Sequence, residues 1–146
     1  MVFKFAAAFV LLSLTVIVNA LGLTMVMQRM RVAKAATDPR IWPPTWLLIR
    51  LAAWVVAIHA LAISGWAAFY WWQNCLPTFE SSLYFSVITY TTVGYGDLVL
   101  GPEWRLLAGV EALTGILMCG LSAGLFFAMV TAIYSAQPQR ALKKQN

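Results

Sequence analysis

The sequence predicts an all-α membrane protein with three transmembrane helices and a shorter helix between the second and the third. Hydrophobic residues make up 62% of the 146 residues and charged residues only 10%, whereas a soluble domain carries about a quarter charged residues. Three long apolar runs hold most of the hydrophobic residues, and each is long enough to cross a bilayer. A chain of this length forms one domain, and lipid is its main solvent.

The first apolar run, residues 5–27, contains no acidic or basic residue. It would form about 34 Å of helix, enough to cross a hydrocarbon core of about 30 Å. A cleaved signal peptide is the alternative, because Lys4 precedes the run and Val18-Asn19-Ala20 resembles a weak cleavage site. The run is long for a signal peptide, so we expect a retained helix. It lacks the regularly spaced arginines of a voltage sensor, and its role stays open.

The second and third runs, residues 47–72 and 106–134, are the other two predicted spans. The second follows Pro43-Pro44, and proline suits the first turn of a helix. Tryptophans stand near both of its ends, as in the aromatic belts of membrane interfaces. The third would form about 43 Å of helix, so it should tilt or extend beyond the bilayer.

A shorter apolar segment, Phe79 to Tyr90, lies between these two runs. Thr78 is suited to cap its first turn, and Glu80 in that turn complements the helix dipole. The helix would reach only about 18 Å, too short to cross the membrane. We therefore expect a re-entrant helix, which must be buried in protein or line water.

The next residues, 91–97, predict a pathway for cations. A pore must offer oxygen atoms in place of the water that a cation loses. Gly94 and Gly96 reach positive φ without steric cost, and this freedom allows successive carbonyl groups to face one side. The side chains of Val93 and Tyr95 would then point away from the pore axis and pack against the surrounding helices.

One such strand cannot surround an ion, so the single copy in this chain predicts a homotetramer with fourfold (C4) symmetry. The Thr92 hydroxyl can add an oxygen at the inner end. The carboxyl end of the short helix would favour a cation in the central cavity. Asp97, Glu80 and Glu103 would add negative charge near the outer mouth.

The stretch Thr92-Val93-Gly94-Tyr95-Gly96-Asp97 resembles the signature of the potassium channel family, and residues 86–90 resemble that family's pore helix. The resemblance covers residues 47–134 and implies passive, potassium-selective conduction through a re-entrant pore helix and selectivity-filter loop. The permeating K+ is then the ligand, and no cofactor is implied. The implied ion site comprises the carbonyl groups of Thr92, Val93, Gly94 and Tyr95 with Gly96, and its support comprises Thr91, Asp97, Glu80 and Glu111.

The chain departs from the family pattern at three positions. Many members carry paired tryptophans where this chain has Tyr84 and Phe85, and some bacterial members carry glutamate in place of Ile88. Phe85 cannot donate a hydrogen bond to the outer end of the filter.

Other functions stay open beside this one. A nonselective cation channel shares the architecture, and a modulatory subunit of a larger channel would conduct nothing alone. A potassium transporter subunit usually carries four degenerate repeats in one long chain. A plain glycine-rich turn would leave the flanking helices unexplained. No nucleophile–base pair, metal-ligand cluster or phosphate loop indicates an enzyme substrate.

Charge placement predicts the orientation in the cell membrane. The filter belongs outside, so the multi-pass chain has its N-terminus outside and its C-terminus in the cytoplasm. The cytoplasmic segments then hold most basic residues, as the positive-inside rule requires, and no basic domain is left for nucleic acid. This divides the chain into an extra helix with a basic loop (1–45), a pore domain (46–136) and a short basic tail (137–146).

Four residues are candidates for gating. Gly115 and Gly120 could act as hinges of the third helix, or could allow close packing, as expected for Gly120 with Gly124. Glu111 lies within the membrane and either has a functional charge or accepts hydrogen bonds behind the filter. His59 is either a pH sensor or a hydrogen-bonded packing residue.

We expect Cys119 to be a small buried residue.

Overall fold

A computed structural model of the chain describes the backbone of residues 2–36 and 44–142 and the side chains of residues 6–28, 46 and 48–131. Within these ranges, all regular secondary structure is helical. Four helices follow in order: α1 (Val2–Ala36), α2 (Pro44–Trp72), α3 (Phe79–Tyr90) and α4 (Arg105–Leu142). The stretches Ala6–Gln28, Leu48–Trp72 and Arg105–Thr131 are long and apolar enough to cross a membrane. The predicted all-α class with three such helices is confirmed, and no strand occurs in the described ranges.

Helix α3 sits between α2 and α4, while α1 packs on the same two helices. A large apolar cluster joins α2, α3 and α4 and includes the buried side chains of Trp66, Tyr70 and Phe85. A second cluster joins α1 and α2 around Leu51 and Ile58. The extra helix is therefore part of the same packed unit as the three elements of the predicted pore domain.

Two helices are longer than their apolar runs. Helix α1 continues to Ala36 and α4 to Leu142, so parts of the expected basic loop and tail are helical. The helical residues beyond each run include alanine, glutamine and arginine, which favour helix, while α4 also contains Pro138 there. Residues 37–43 and 143–146, also assigned to the loop and tail, lie outside the described residues.

Much of the apolar surface is left open by this packing. Only 22% of the residues in each membrane-capable window are buried inside the chain. Large side chains such as Phe9, Leu61, Leu106 and Phe127 are exposed. Cys119 is exposed within the single chain, so the expectation that it is a small buried residue was wrong for the chain taken alone. Lipid or other protein must cover surfaces of this size.

Candidate functional site

Local side-chain bonds fix both ends of α3. Thr78 has extended backbone angles (φ −133°, ψ 158°), and its hydroxyl accepts a hydrogen bond from the Ser81 amide at 3.1 Å. The predicted N-cap is thereby confirmed. At the other end, the Thr91 hydroxyl donates to the Val87 carbonyl at 2.7 Å and the Thr91 amide donates to the same oxygen at 3.1 Å. The chain therefore leaves α3 from a fixed point.

The backbone after α3 places every second residue in the left-handed region. The φ angles are +61° at Thr92, +51° at Gly94 and +76° at Gly96. The glycine angles are those that the sequence predicted, whereas Thr92 was unexpected. A side chain in this region costs about 1–2 kcal/mol, and more crowding arises when it is β-branched. Strain of this kind is characteristic of functional backbone.

Backbone hydrogen bonds join residues 91–97, called the segment below, to α3. The Thr92 amide donates to the Thr89 carbonyl at 2.9 Å, and the Gly94 amide donates to the Ile88 carbonyl at 3.0 Å. The conformation of the segment therefore depends on the position of the last turn of α3.

The side chains of this segment are open to their surroundings in the single chain. Val93 is 51% exposed and Tyr95 is 73% exposed, so the expected packing of these two against helices is not made within one chain. This exposure leaves the side chains of Val93 and Tyr95, next to a strained backbone, for another surface to cover.

Asp97 ends the segment and is held by a bond that sequence reasoning missed. The Tyr84 hydroxyl donates to the carboxylate of Asp97 at 2.6 Å, and the Leu98 amide donates to its other oxygen at 3.0 Å. The bond from Tyr84, and then that from Leu98, lower the pKa of Asp97 below its usual range. Phe85 has no donor, as noted, but its neighbour Tyr84 supplies one. Glu80 is exposed in the first turn of α3.

A half-open pocket of about 220 Å³ lies beside the segment in the single chain. Phe85 and Ile88 of α3 line it on one side and Leu100 and Ala108 on another, with Gly94 and Gly96 also at its wall. The walls are mainly apolar, and Arg105 is the charged residue among those that line them.

Glu111 of α4 is fully buried beside α3. Its carboxyl group accepts a hydrogen bond from the Tyr70 hydroxyl at 2.9 Å, and the buried side chain of Ser86 lies next to it. The Tyr70 ring packs edge-on against Phe85, with 5.4 Å between ring centroids. These contacts fit the expected supporting role, because they connect α2, α3 and α4 at one point.

The α4 glycines have different surroundings. A Cβ added at Gly115 would overlap the carbonyl oxygen of Tyr90, so this glycine allows α4 to touch the end of α3. A Cβ at Gly120 or Gly124 would meet no atom of the described chain within 4 Å. The expected packing of that pair is therefore not made within one chain, and hinge roles for Gly115 and Gly120 stay predictions.

His59 bonds through both ring nitrogens. Nδ1 lies 3.1 Å from the Tyr90 hydroxyl and Nε2 lies 3.0 Å from the Ser122 hydroxyl. These contacts fit the packing interpretation of this histidine. Sequence reasoning missed Tyr90 and Ser122 as its partners. A polar group in an apolar helix needs a hydrogen-bond partner. This rule would have marked Tyr90 and Ser122 as candidate partners, but it does not show which polar groups pair.

Comparisons with known proteins agree with this arrangement. Residues 46–132 match the family described as "Ion channel". An inward rectifier potassium channel, Kirbac3.1 of Paramagnetospirillum magnetotacticum, is 39% identical over 61 residues, which are 40% of this chain and 21% of that protein. The matched region thus spans about a fifth of the relative's length. No solved structure matches the chain.

Proposed function

The chain belongs to the ion channel family, and on that premise we propose that four copies form a potassium-selective pore that conducts K+ passively down its electrochemical gradient. The supporting observation is the left-handed backbone at Thr92, Gly94 and Gly96. Alternation of left-handed and ordinary residues turns successive carbonyl groups toward one side, which is the arrangement that a desolvated cation needs.

The proposed ion sites consist of backbone carbonyl oxygens. Thr92, Val93, Gly94 and Tyr95 supply them, with Gly96 at the outer end and the Thr92 hydroxyl at the inner end. K+ is the transported substrate in this proposal, and its hydration shell is replaced by these oxygens from four chains. The strain at Thr92 is offset by the bonds that join the segment to α3.

Open surfaces on the single chain support assembly as a C4 tetramer. Tyr95 and Val93 are exposed beside the strained segment. The exposed apolar face of α4 includes Leu113, Leu117 and Leu121, and a Cβ at Gly120 would meet nothing. A closed ring of four chains would cover part of this surface and surround the ion, which one segment cannot do.

The length of α3 supports a re-entrant path. Its 12 residues span about 18 Å, less than a bilayer core. In the proposed orientation its carboxyl end faces the central cavity, where the negative end of the dipole favours a cation. The N-terminus is then outside the cell membrane and the C-terminus is in the cytoplasm, with the basic residues inside.

Reconstitution tests this proposal. The purified chain is placed alone in lipid bilayers, and the reversal potential is measured under opposed K+ and Na+ gradients. We expect reversal near the K+ equilibrium potential. Gly94→Ala should abolish the K+ current, because φ is +51° there, whereas Gly65→Ala should not, because a Cβ at Gly65 meets nothing within 4 Å.

A nonselective cation channel is the second candidate. Phe85 and Ile88 lie behind the segment, and neither side chain can donate a hydrogen bond to it. A reversal potential near zero would favour this candidate. Absence of any current from well-folded protein would instead favour a modulatory subunit of a larger channel.

A further inference from the structure

Tyr90 fixes the end of α3 from which the segment begins. It is the last residue of α3 and is only 1% exposed. The Thr92 and Gly94 amides donate to carbonyl groups in the turn that Tyr90 ends, at 2.9 Å and 3.0 Å. A displacement of this tyrosine therefore moves the turn to which the segment is bonded.

Tyr90 contacts α4 directly through its backbone. A Cβ added at Gly115 would overlap the Tyr90 carbonyl oxygen, so the two helices touch at this point. This contact fixes one point of α4 relative to the segment. The position of α4 beyond that point depends on a second connection.

The second connection passes through His59 of α2. Its Nδ1 lies 3.1 Å from the Tyr90 hydroxyl, and its Nε2 lies 3.0 Å from the Ser122 hydroxyl of α4. The rings of His59 and Tyr90 pack with 5.8 Å between their centroids. A neutral imidazole donates through one nitrogen and accepts through the other, so both hydrogen bonds can form at once. The row Tyr90–His59–Ser122, called the bridge below, thus joins α3, α2 and α4.

Ser122 differs from the other hydroxyl residues in the described part of α4. Its side chain is 4% exposed, and its hydroxyl bonds across to His59. The hydroxyls of Thr114 and Thr131 bond instead to carbonyl groups one turn back in α4. A hydroxyl in a membrane helix can always find such a partner in its own helix. The bond from Ser122 to another helix is therefore particular to this position.

The two connections enclose the part of α4 that contains Gly120. Ser122 stands two turns after Gly115, about 10 Å along the helix. A Cβ at Gly120 would meet no atom of the described chain within 4 Å, whereas Met118 packs in the apolar cluster. Apolar packing tolerates small shifts, but the hydrogen bonds of the bridge hold only over a narrow range of distance and angle. A bend in this part of α4 would therefore strain the bridge before it strained the apolar contacts.

We propose that His59 is a positioning residue that couples the part of α4 after Gly120 to the segment through the bridge. When that part of α4 moves, the Ser122 bond breaks or Tyr90 is displaced, and either change loosens the last turn of α3. Coupling between distant sites is carried by contiguous hydrogen-bond networks of this kind. This inference rests on the proposed function, since it assigns the bridge a role in regulating that pore.

The test compares Ser122→Ala with Ser64→Ala, the same substitution at a hydroxyl that bonds within its own helix. Two quantities are measured on the full chain in lipid: hydrogen exchange at the Thr92 and Gly94 amides, and the ratio of open to closed dwell times of single channels. Ser122→Ala should speed exchange at both amides and change the dwell-time ratio, each by about threefold, as expected for one interhelical hydrogen bond in a membrane. Ser64→Ala should change neither quantity.

The two bonds of the bridge can also be observed separately. The chain contains a single histidine, so protein made with isotopically labelled histidine gives the imidazole nitrogen signals of His59 alone. Tyr90→Phe should move the Nδ1 signal, and Ser122→Ala should move the Nε2 signal. Signals that stay in place in both variants would overturn the bridge.

Double variants show whether Ser122 acts through His59. In His59→Leu, the further change Ser122→Ala should do little more to either quantity. His59→Gln keeps a nitrogen at the Nε2 position and His59→Asn keeps one at the Nδ1 position, so each retains one bond of the bridge and breaks the other. In both backgrounds Ser122→Ala should no longer speed exchange at the two amides. If His59→Leu does not fold, these two polar variants still decide the question.

The two measurements separate this inference from the proposed function. If the wild type conducts no K+ but Ser122→Ala still speeds exchange at the two amides, the pore function fails and the coupling through His59 stands. If the wild type conducts K+ selectively and Ser122→Ala behaves as Ser64→Ala in either measurement, the coupling is overturned. Effects of Ser122→Ala and the His59 variants that simply add would also overturn it.

Discussion

Substitution of Gly115 by alanine tests the closest contact between α3 and α4. The added methyl group would overlap the carbonyl oxygen of Tyr90, which is backbone and cannot rotate away as a side chain could. Overpacking of this kind costs about 1–3 kcal/mol. Alanine also favours helix over glycine by about 1 kcal/mol, so the net loss for Gly115→Ala should be at most about 2 kcal/mol.

Gly109→Ala is the control that isolates the packing cost. Gly109 lies on the same helix, and a Cβ there meets nothing within 4 Å. Both variants gain the same helix propensity, so that contribution cancels in their difference. The free energies of unfolding of the two variants should therefore differ by about 1–3 kcal/mol, with Gly115→Ala the less stable.

Equilibrium unfolding of the purified variants in mixed micelles measures this difference. Equal stability of Gly115→Ala and Gly109→Ala would refute the reasoning, because it would mean that α4 can move from α3 at no cost. That result would also favour the hinge interpretation of Gly115 over close packing. A large difference would show that the glycine is needed for contact, whatever its role in gating.

Two further predictions concern hydrogen bonds near the segment. Tyr84→Phe should raise the pKa of Asp97 toward its ordinary value of about 4, because the hydrogen bond from Tyr84 lowers this pKa. In the wild type this hydrogen bond stabilises the fold fully above about pH 4. The stabilisation is lost as the pH falls through the lowered pKa of Asp97. Carboxyl NMR titration of Asp97 checks this prediction. An unchanged pKa in Tyr84→Phe would argue against the Tyr84–Asp97 hydrogen bond, as would failure of Tyr84→Trp to keep that pKa low. Tyr70→Phe removes a donor to the buried Glu111 carboxyl and should cost about 1–3 kcal/mol of unfolding free energy. Ser64→Ala, at a hydroxyl bonded within its own helix, should cost less than about 0.5 kcal/mol, and equal losses in the two variants would contradict this assignment.

The sequence determined those features that depend on local chemistry. The three membrane-capable runs follow from apolar length, because a helix must satisfy its own backbone in lipid. The bounds of α3 follow from the Thr78 cap and from a short apolar segment. The absence of a Cβ at Gly94 and Gly96 permits the positive φ angles found there. Each of these properties can be read from a few neighbouring residues.

Only the tertiary structure decided which residues meet. Helices α1, α2 and α4 are nearly as apolar on one side as on the other, so no sequence pattern indicates which face turns inward. The pairing of Tyr84 with Asp97 and that of His59 with Tyr90 join residues far apart in sequence. Such contacts depend on the rotation and depth of each helix, which packing against its neighbours determines.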